Sequence, residues 1–134
     1  GAGAYLNDQR IRVSRRSGLK AGLIGTGFPF RQLDHLETYL AILRDVMKSS
    51  TGVRRAGSAA LDLAYVAAGR LDGFWEFGLG AWDIAAGALL VNEAGGRVGD
   101  FAGGHDYMRT NEVIAAAPGV FNPLREALAT ADLR

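Results

Sequence analysis

The chain has 134 residues, the length of one domain that is large enough to bury a core of its own. Its net charge is +1, with acidic and basic residues interspersed, so charge gives no reason to expect nucleic acid or a membrane as the main partner. There is no cysteine, which excludes disulfides and thiolate metal sites. No signal peptide is visible and no apolar run approaches the roughly 20 residues of a membrane span, so we expect a cytoplasmic protein.

Two kinds of segment follow one another along the chain. Short runs that are apolar, or in which apolar and polar residues alternate, are separated by segments with the apolar spacing of helices. The pattern predicts strands over 10–14, 21–25, 53–55, 72–77, 97–101 and 112–117. It predicts helices over 33–47, 59–68, 83–94 and from Asn122-Pro123 towards Leu133. The predicted fold class is therefore α/β: a layered, mostly parallel (mixed) sheet of about five strands with helices on both faces.

One carboxylate, that of Asp83, lies at the start of a predicted helix that is otherwise almost wholly apolar. Asp is a favoured N-cap residue, and the positive end of the helix dipole favours its ionised form. A carboxylate held on a rigid buried helix suits a hard cation such as Mg²⁺, and a plain N-cap is the alternative interpretation. The preceding residue, Trp82, is expected to pack in the core.

A second candidate site is the predicted strand-to-helix loop 54–59, because ligands of such sheets bind at the carboxyl ends of the strands. Ser58 is the predicted N-cap of the following helix. Gly57 and the free N–H groups of the first helical turn allow close approach of a sugar hydroxyl or a phosphate oxygen. Arg54 adds a forked donor, although a solvated surface charge is the alternative for this residue.

Three further carboxylates stand out in the sequence. Glu76 ends a predicted strand seven residues before Asp83, so both side chains are expected to face one cleft. Asp62 is the only charge on its helix and is expected to be buried and hydrogen-bonded. Glu93 ends the apolar helix and is expected to bond backbone amides of the turn that follows.

Several segments share a pattern with one protein family. The C-terminal pattern comprises Trp82-Asp83, Gly87, Leu89 and Glu93-Ala94-Gly95-Gly96. The other matching segments are 57–70, 25–30, 4–7 and 10–14. Together they resemble the inositol monophosphatase family, in its bacterial SuhB-type branch, over essentially the whole chain. Gly80 departs from members that have a bulkier residue there, which affects local substrate contacts.

The resemblance implies a Mg²⁺-dependent phosphatase that hydrolyses inositol monophosphate, a phosphate monoester of a cyclitol or polyol. It assigns Asp83 to the catalytic metal. It assigns to the substrate the positions Arg54, Gly57, Ser58, Ala59 and Glu76. It also implies a homodimer, in which Arg55 serves a subunit interface.

The resemblance covers only the C-terminal half of such an enzyme. Residues 1–134 are thus expected to be its substrate-recognition domain, with the N-terminal metal-binding domain absent from this chain. The family's remaining metal ligands come from a Glu-rich motif and an Asp-Pro-x-Asp-Gly motif, and neither occurs here. The Mg²⁺ site is therefore expected to be incomplete and the chain alone to be inactive.

Two alternatives stay open. The first is a non-catalytic protein-binding or regulatory module that contacts the transcription machinery, as the SuhB-type resemblance permits. The second is a related phosphatase whose substrate is a sugar bisphosphate or a nucleotide.

Overall fold

Seven strands and five helices follow one another in the computed structural model, which describes residues 1–28 and 33–132. The strands are β1 (Ala4–Leu6), β2 (Gln9–Ile11), β3 (Leu23–Thr26), β4 (Gly52–Arg54), β5 (Gly73–Phe77), β6 (Arg97–Gly99) and β7 (Glu112–Ala116). The helices are α1 (Leu36–Ser49, after a 3-10 turn at Leu33–His35), α2 (Ala59–Ala67), α3 (Ala81–Glu93), α4 (Tyr107–Thr110) and α5 (Pro118–Asp132). Pro29 and Phe30 of the matching segment 25–30, and Leu133, lie outside the described residues.

A five-stranded mixed sheet forms the centre of the fold, in the order β4-β3-β5-β7-β6. Strand β3 pairs in parallel with β4 and with β5. Strand β7 pairs antiparallel with β5 and with β6. The predicted α/β class with about five strands is confirmed, and half of the strand pairs in this sheet are parallel.

Helices cover both faces of this sheet. Neighbouring residues of a strand point to opposite faces, so each strand contributes side chains to two separate cores. Phe74 packs in one core with α2 and α3, whereas Trp75 packs in the other core with α1 and α5. Strand β7 divides in the same way: Val113 and Ala115 face the first core, and Ile114 faces the second. All five side chains are completely buried.

The N-terminal segment differs from the single strand predicted over 10–14. It forms a separate hairpin of β1 and β2, which the sequence interpretation missed. Asn7 and Asp8 make its two-residue turn with φ angles of 50° and 65°, the left-handed values that such hairpins require. The chain then leaves the hairpin, and the Val13 N–H donates to the Ala94 carbonyl at 3.1 Å.

The last helix starts at Pro118 and not at Asn122, so the predicted start is wrong. Proline is tolerated in a first helical turn, and Pro123 then lies inside the helix. Because Pro123 has no N–H, the Gly119 carbonyl four residues earlier is left without its helical donor. That carbonyl accepts the Gly18 N–H at 2.8 Å instead. Within the described residues, none of the helices is long and apolar enough to cross a membrane.

Candidate functional site

Carboxylates gather where the parallel strands β3, β4 and β5 end and the helices α2 and α3 begin. Glu76 is the fourth residue of β5, and Asp83 lies in the first turn of α3. Asp62 lies in the first turn of α2. The structure thus brings three acids from separate elements to the edge of the sheet at which ligands bind in such folds.

Glu76 rests against the backbone of Gly27. A Cβ atom at Gly27 would lie 2.0 Å from Glu76 Oε1, so this position of the carboxylate requires glycine. The pKa of Glu76 is raised to about 7, mainly by burial and then by the charges of Asp62 and Asp83, while the charge of Arg55 lowers it. Glu76 and Asp83 are therefore close enough to interact electrostatically.

Asp83 is the third residue of α3 and not its N-cap, so the predicted cap position is wrong. Gly80 is the N-cap, and Asp83 Oδ2 accepts the Gly80 N–H at 3.0 Å. The carboxylate satisfies a backbone donor from inside the helix, as the third residue of a capping box does. Within the described part of the chain, Asp83 Oδ1 accepts no hydrogen bond.

Trp82 is 79% exposed, so the prediction that it packs in the core is wrong. The buried face of α3 carries Ile84, Ala88 and Val91. A residue two positions before Ile84 lies about 200° away around the helix and so points outward. The indole covers Gly80, where a Cβ would lie 2.5 Å from the Trp82 ring, so a bulkier residue at 80 would displace it.

The two adjacent arginines have different surroundings. Arg54 is exposed, and its Nη1 donates to the Val53 carbonyl at 3.3 Å. The Arg55 guanidinium lies 5.0 Å from the centre of the Phe28 ring. Its charge lowers the pKa of Glu76, whereas no such effect of Arg54 is seen. Among the described residues, the charge of Arg55 thus acts on the carboxylates of both Glu76 and Asp62, and its expected role at a subunit interface stays a prediction.

The start of α2 is open to solvent. Gly57 has a φ of +97°, a conformation that favours glycine. Ser58 is the N-cap as predicted, since its Oγ accepts the Leu61 N–H at 3.3 Å. Gly57 and Ser58 are exposed and Ala59 is half-buried, so the first N–H groups of this helix are accessible to a ligand.

Asp62 is buried as predicted, but it is not a satisfied carboxylate. Its side chain is 1% exposed, and Oδ1 has no hydrogen-bond partner among the described residues. Burial raises the pKa of Asp62 to about 6, and the positive charge of Arg55 opposes the shift. One sequence signal points to this residue, a single charge on an apolar helix, and it predicts a buried, hydrogen-bonded carboxylate and not an unpartnered one.

Glu93 does not bond the turn that follows α3, so that expectation is wrong. Its Oε1 accepts from the amino group of Gly1 and, at 3.5 Å, from the Gly3 N–H. The helix thus ends against the segment that leads into β1. This contact is remote from the strand ends that carry the candidate site.

A metal ion would find one suitable ligand in this site. Asp83 offers the hard oxygen donor that Mg²⁺ prefers, and its other oxygen is fixed by the Gly80 N–H. Within residues 1–28 and 33–132, no group of three or more His, Cys, Asp or Glu side chains is arranged to hold a metal. Asp83 therefore fits as one ligand, and further ligands would have to come from elsewhere.

Comparison with known proteins gives consistent matches along the chain. The sequence model of the inositol monophosphatase family matches residues 1–132 of this chain. Nus factor SuhB of Pseudomonas aeruginosa is 55% identical over 126 residues, which are 92% of this chain and 46% of that protein. Inositol-1-monophosphatase of Mesorhizobium japonicum is 52% identical over 128 residues, or 96% of this chain and 48% of that protein.

Solved structures share the fold. Inositol monophosphatase from Anabaena sp. PCC 7120 superposes with a TM-score of 0.93 at 38% identity, over 98% of this chain and 54% of that one. The extragenic suppressor protein suhB from Bartonella henselae gives a TM-score of 0.92 at 52% identity, over 96% and 49%. The chain spans about half the length of the curated relatives it matches. Because the family's sequence model matches nearly the whole chain, the chain belongs to the inositol monophosphatase family.

Proposed function

We propose that the intact protein is a Mg²⁺-dependent phosphatase that hydrolyses inositol monophosphate or a similar phosphate monoester of a polyol. The observation that carries the proposal is that Glu76 at the end of β5, Asp83 in the first turn of α3 and the open start of α2 lie at the ligand-binding edge of one sheet. The charge of Asp83 also raises the pKa of Glu76. Family membership supports the same activity. In this proposal the 134-residue chain recognises the substrate and is inactive without the other half of the protein.

Each substrate-binding position has a physical role in this proposal. Glu76 accepts hydrogen bonds from ring hydroxyls, because a carboxylate is an acceptor-only group when it is ionised. The N–H groups at Gly57, Ser58 and Ala59 donate to the phosphate at the positive end of the α2 dipole. Arg54 stands at the exposed rim, where its guanidinium is able to turn towards a phosphate oxygen.

Asp83 is the residue of this chain that would hold Mg²⁺. When bound, Mg²⁺ supplies Lewis-acid stabilisation of the negative charge that develops on the phosphoryl group. The bond from the Gly80 N–H fixes the Asp83 carboxylate and so presents Oδ1 in a defined direction. The remaining ligands are assigned to the N-terminal half of the intact protein.

The outer face of α2 and α3 is assigned to contact with that other half. Both helices are apolar on nearly every side, which is typical of buried helices. Large apolar side chains are nevertheless exposed here: Trp82 by 79%, Leu89 by 62% and Leu61 by 45%. Trp82 adjoins Asp83, so a domain that covered this face would also reach the metal ligand.

The test is Asp83→Asn in the intact protein, with Mg²⁺-dependent phosphate release as the assay. An Asn oxygen still accepts the Gly80 N–H, so the fold is retained while a charged ligand is lost. We expect a rate loss of at least about 100-fold, since a metal ion contributes several kcal/mol to such reactions. Glu37→Gln, an exposed acid on α1, is the matched control and leaves the rate unchanged. A rate for Asp83→Asn within about twofold of wild type would refute the metal role.

A regulatory role is the second candidate, because several relatives are named Nus factor SuhB. In that case the protein contacts the transcription machinery through a surface separate from the acidic site. Binding to purified transcription complexes that is unaffected by Asp83→Asn and Glu76→Ala would support it. The absence of binding at micromolar protein concentration would count against it.

A panel of inositol phosphates, sugar bisphosphates and nucleotides decides the substrate. Homodimerisation and a cytoplasmic location stay predictions.

A further inference from the structure

The chain has a net charge of +1, but its basic residues are unevenly distributed. Residues 10–20 contain five of the 15 lysines and arginines and no acid. The five are Arg10, Arg12, Arg15, Arg16 and Lys20. Like charges this close repel one another, so the surroundings of the segment in the fold decide what it can bind.

The segment crosses the edge of the sheet opposite to the candidate site. Gly73 at the start of β5, Arg97 at the start of β6 and Ala116 at the end of β7 are in register at that edge. The Val13 N–H donates to the Ala94 carbonyl at 3.1 Å, just before β6. The second backbone bond, from residue 18 to the first turn of α5, holds the other end of the segment. The basic segment is therefore fixed along this edge by backbone contacts.

Two arginines from other elements join the segment. Arg97 is exposed, and its guanidinium lies 4.1 Å from the centre of the Phe121 ring. Arg70, also exposed, directly follows Gly69, where a Cβ atom would lie 3.0 Å from the Arg12 carbonyl oxygen. The fold thus adds the end of α2 and the start of β6 to the basic segment, and the edge becomes rich in arginine.

The acids Asp72 and Glu93, which lie beside this edge, are already engaged. Asp72 Oδ1 pairs with Arg16 Nε at 3.4 Å, and Glu93 Oε1 accepts from the amino group of Gly1. Within residues 1–28 and 33–132, the other arginines of this edge form no ion pair: Arg12, Arg15, Arg70 and Arg97. Their guanidinium groups are available to an anionic partner.

We propose that this arginine-rich edge binds a single strand of nucleic acid through its phosphate backbone. Guanidinium groups bind phosphate oxygens in a two-bond geometry, and they also stack on unpaired bases. A groove of about 350 Å³ follows the segment, and Ser14, Arg15 and Ser17 are among the residues that line it. The serine hydroxyls are further donors for phosphate oxygens. A basic groove that follows the backbone is the usual feature of single-strand binding.

The surroundings favour nucleic acid over a protein or a membrane. In the described part of the chain, none of the large exposed apolar side chains lies in 10–20 or in the first turn of α5. Protein interfaces have an apolar centre, and membrane-binding surfaces have apolar anchors. Nucleic-acid interfaces are polar and positively charged, as this edge is.

The experiment measures binding of a fluorescein-labelled polyuridine of about 20 nucleotides, and of its DNA counterpart, to the intact protein by fluorescence anisotropy. We expect a micromolar Kd that rises with salt, because phosphate contacts release counterions. Equal affinity for the two strands would assign the binding to phosphates alone, and tighter binding of RNA would add contacts to the 2′-hydroxyls. For Arg12→Gln/Arg15→Gln we expect a Kd at least about tenfold higher and a salt slope that is shallower by about 1.4, about 0.7 for each lost phosphate contact.

The matched control is Arg44→Gln/Lys48→Gln, which removes the same charge from the exposed face of α1 and changes Kd by less than about twofold. Neither double variant alters Mg²⁺-dependent phosphate release, so the outcome is independent of the proposed function. If Arg12→Gln/Arg15→Gln does not fold, Arg15→Gln alone is measured, with a rise in Kd of about threefold expected. The absence of binding at micromolar protein concentration, or an equal loss in both double variants, overturns the proposal.

Discussion

Glu76→Gln is expected to stabilise the protein at alkaline pH and to have little effect in acid. The pKa of Glu76 is raised from 4.5 to about 7, mainly by burial. The unfolded chain therefore releases this proton near pH 4.5, whereas the folded protein keeps it up to about pH 7. Between these values the unfolded state binds fewer protons, so the free energy of unfolding falls as pH rises. Glutamine is neutral at every pH, so the free energy of unfolding of the variant does not fall in this way.

The size of the effect follows from the pKa shift. One pKa unit corresponds to about 1.4 kcal/mol, so the shift of about 2.5 units sets an upper bound of about 3 kcal/mol. The carboxylate is only partly buried and solvent screens it, which reduces the expected gain at pH 8 to about 1–2 kcal/mol. Urea unfolding of wild type and Glu76→Gln from pH 4 to pH 8, without divalent cations, measures the difference. Glu37→Gln, an exposed acid, is the control. A stability difference between Glu76→Gln and wild type that is the same at pH 4 and pH 8 would refute the argument.

Two other substitutions test the geometry of the site and of the outer helix face. Gly27→Ala places a methyl group where Glu76 Oε1 now lies, and displacement of the carboxylate should raise KM in the intact protein about 10–100-fold. An unchanged KM would show that Glu76 does not contact the substrate. Leu89→Lys should lower the stability of the intact protein by about 2 kcal/mol or more if the α2–α3 face packs against its other half. Met47→Lys is the matched control, because Met47 is 59% exposed on α1, and a change within about 0.5 kcal/mol is expected there. Equal unfolding free energies for the two lysine variants would contradict the assigned interface.

The fold class could be predicted because the spacing of apolar residues reflects which residues are buried. Here the buried residues lie on the two faces of one sheet and on the helices that cover them. Phe74 and Trp75 alternate between two cores, and α1 repeats its apolar residues with helical spacing. The start of α5 could not be predicted in this way. Asn122-Pro123 is a strong local start signal, but the true start depends on a tertiary contact. The Gly18 N–H satisfies the Gly119 carbonyl, and this allows the helix to contain Pro123.

The residues of the site, and a shared cleft for Glu76 and Asp83, could be predicted from the sequence, but the grouping of Arg55 and Asp62 with them could not. The positions of Glu76 and Asp83 at the ends of predicted elements are a local property, and they predict one shared cleft. Arg55 and Asp62 join them only because β3 pairs with both β4 and β5, which puts Gly25 beside Arg54 on one side and Phe74 on the other. That register is set by long-range packing that no short segment encodes.

The segment Gly25-Thr26-Gly27 does contain one signal that sequence reasoning can use. Thr26 points to the α1 side of the sheet, where its Oγ1 lies 3.1 Å from the Tyr39 hydroxyl. The two glycines thus leave the opposite face of the strand end without side chains, and a close-packed protein has to fill that space from other elements. The sequence predicts that such a space exists, but its charge depends on what fills it. At Gly25 a Cβ would lie 2.9 Å from Leu71 Cδ1 and 3.3 Å from Phe74 Cδ1, so apolar side chains fill that space, whereas at Gly27 the Glu76 carboxylate fills it. One end of the glycine face is therefore apolar and the other is acidic.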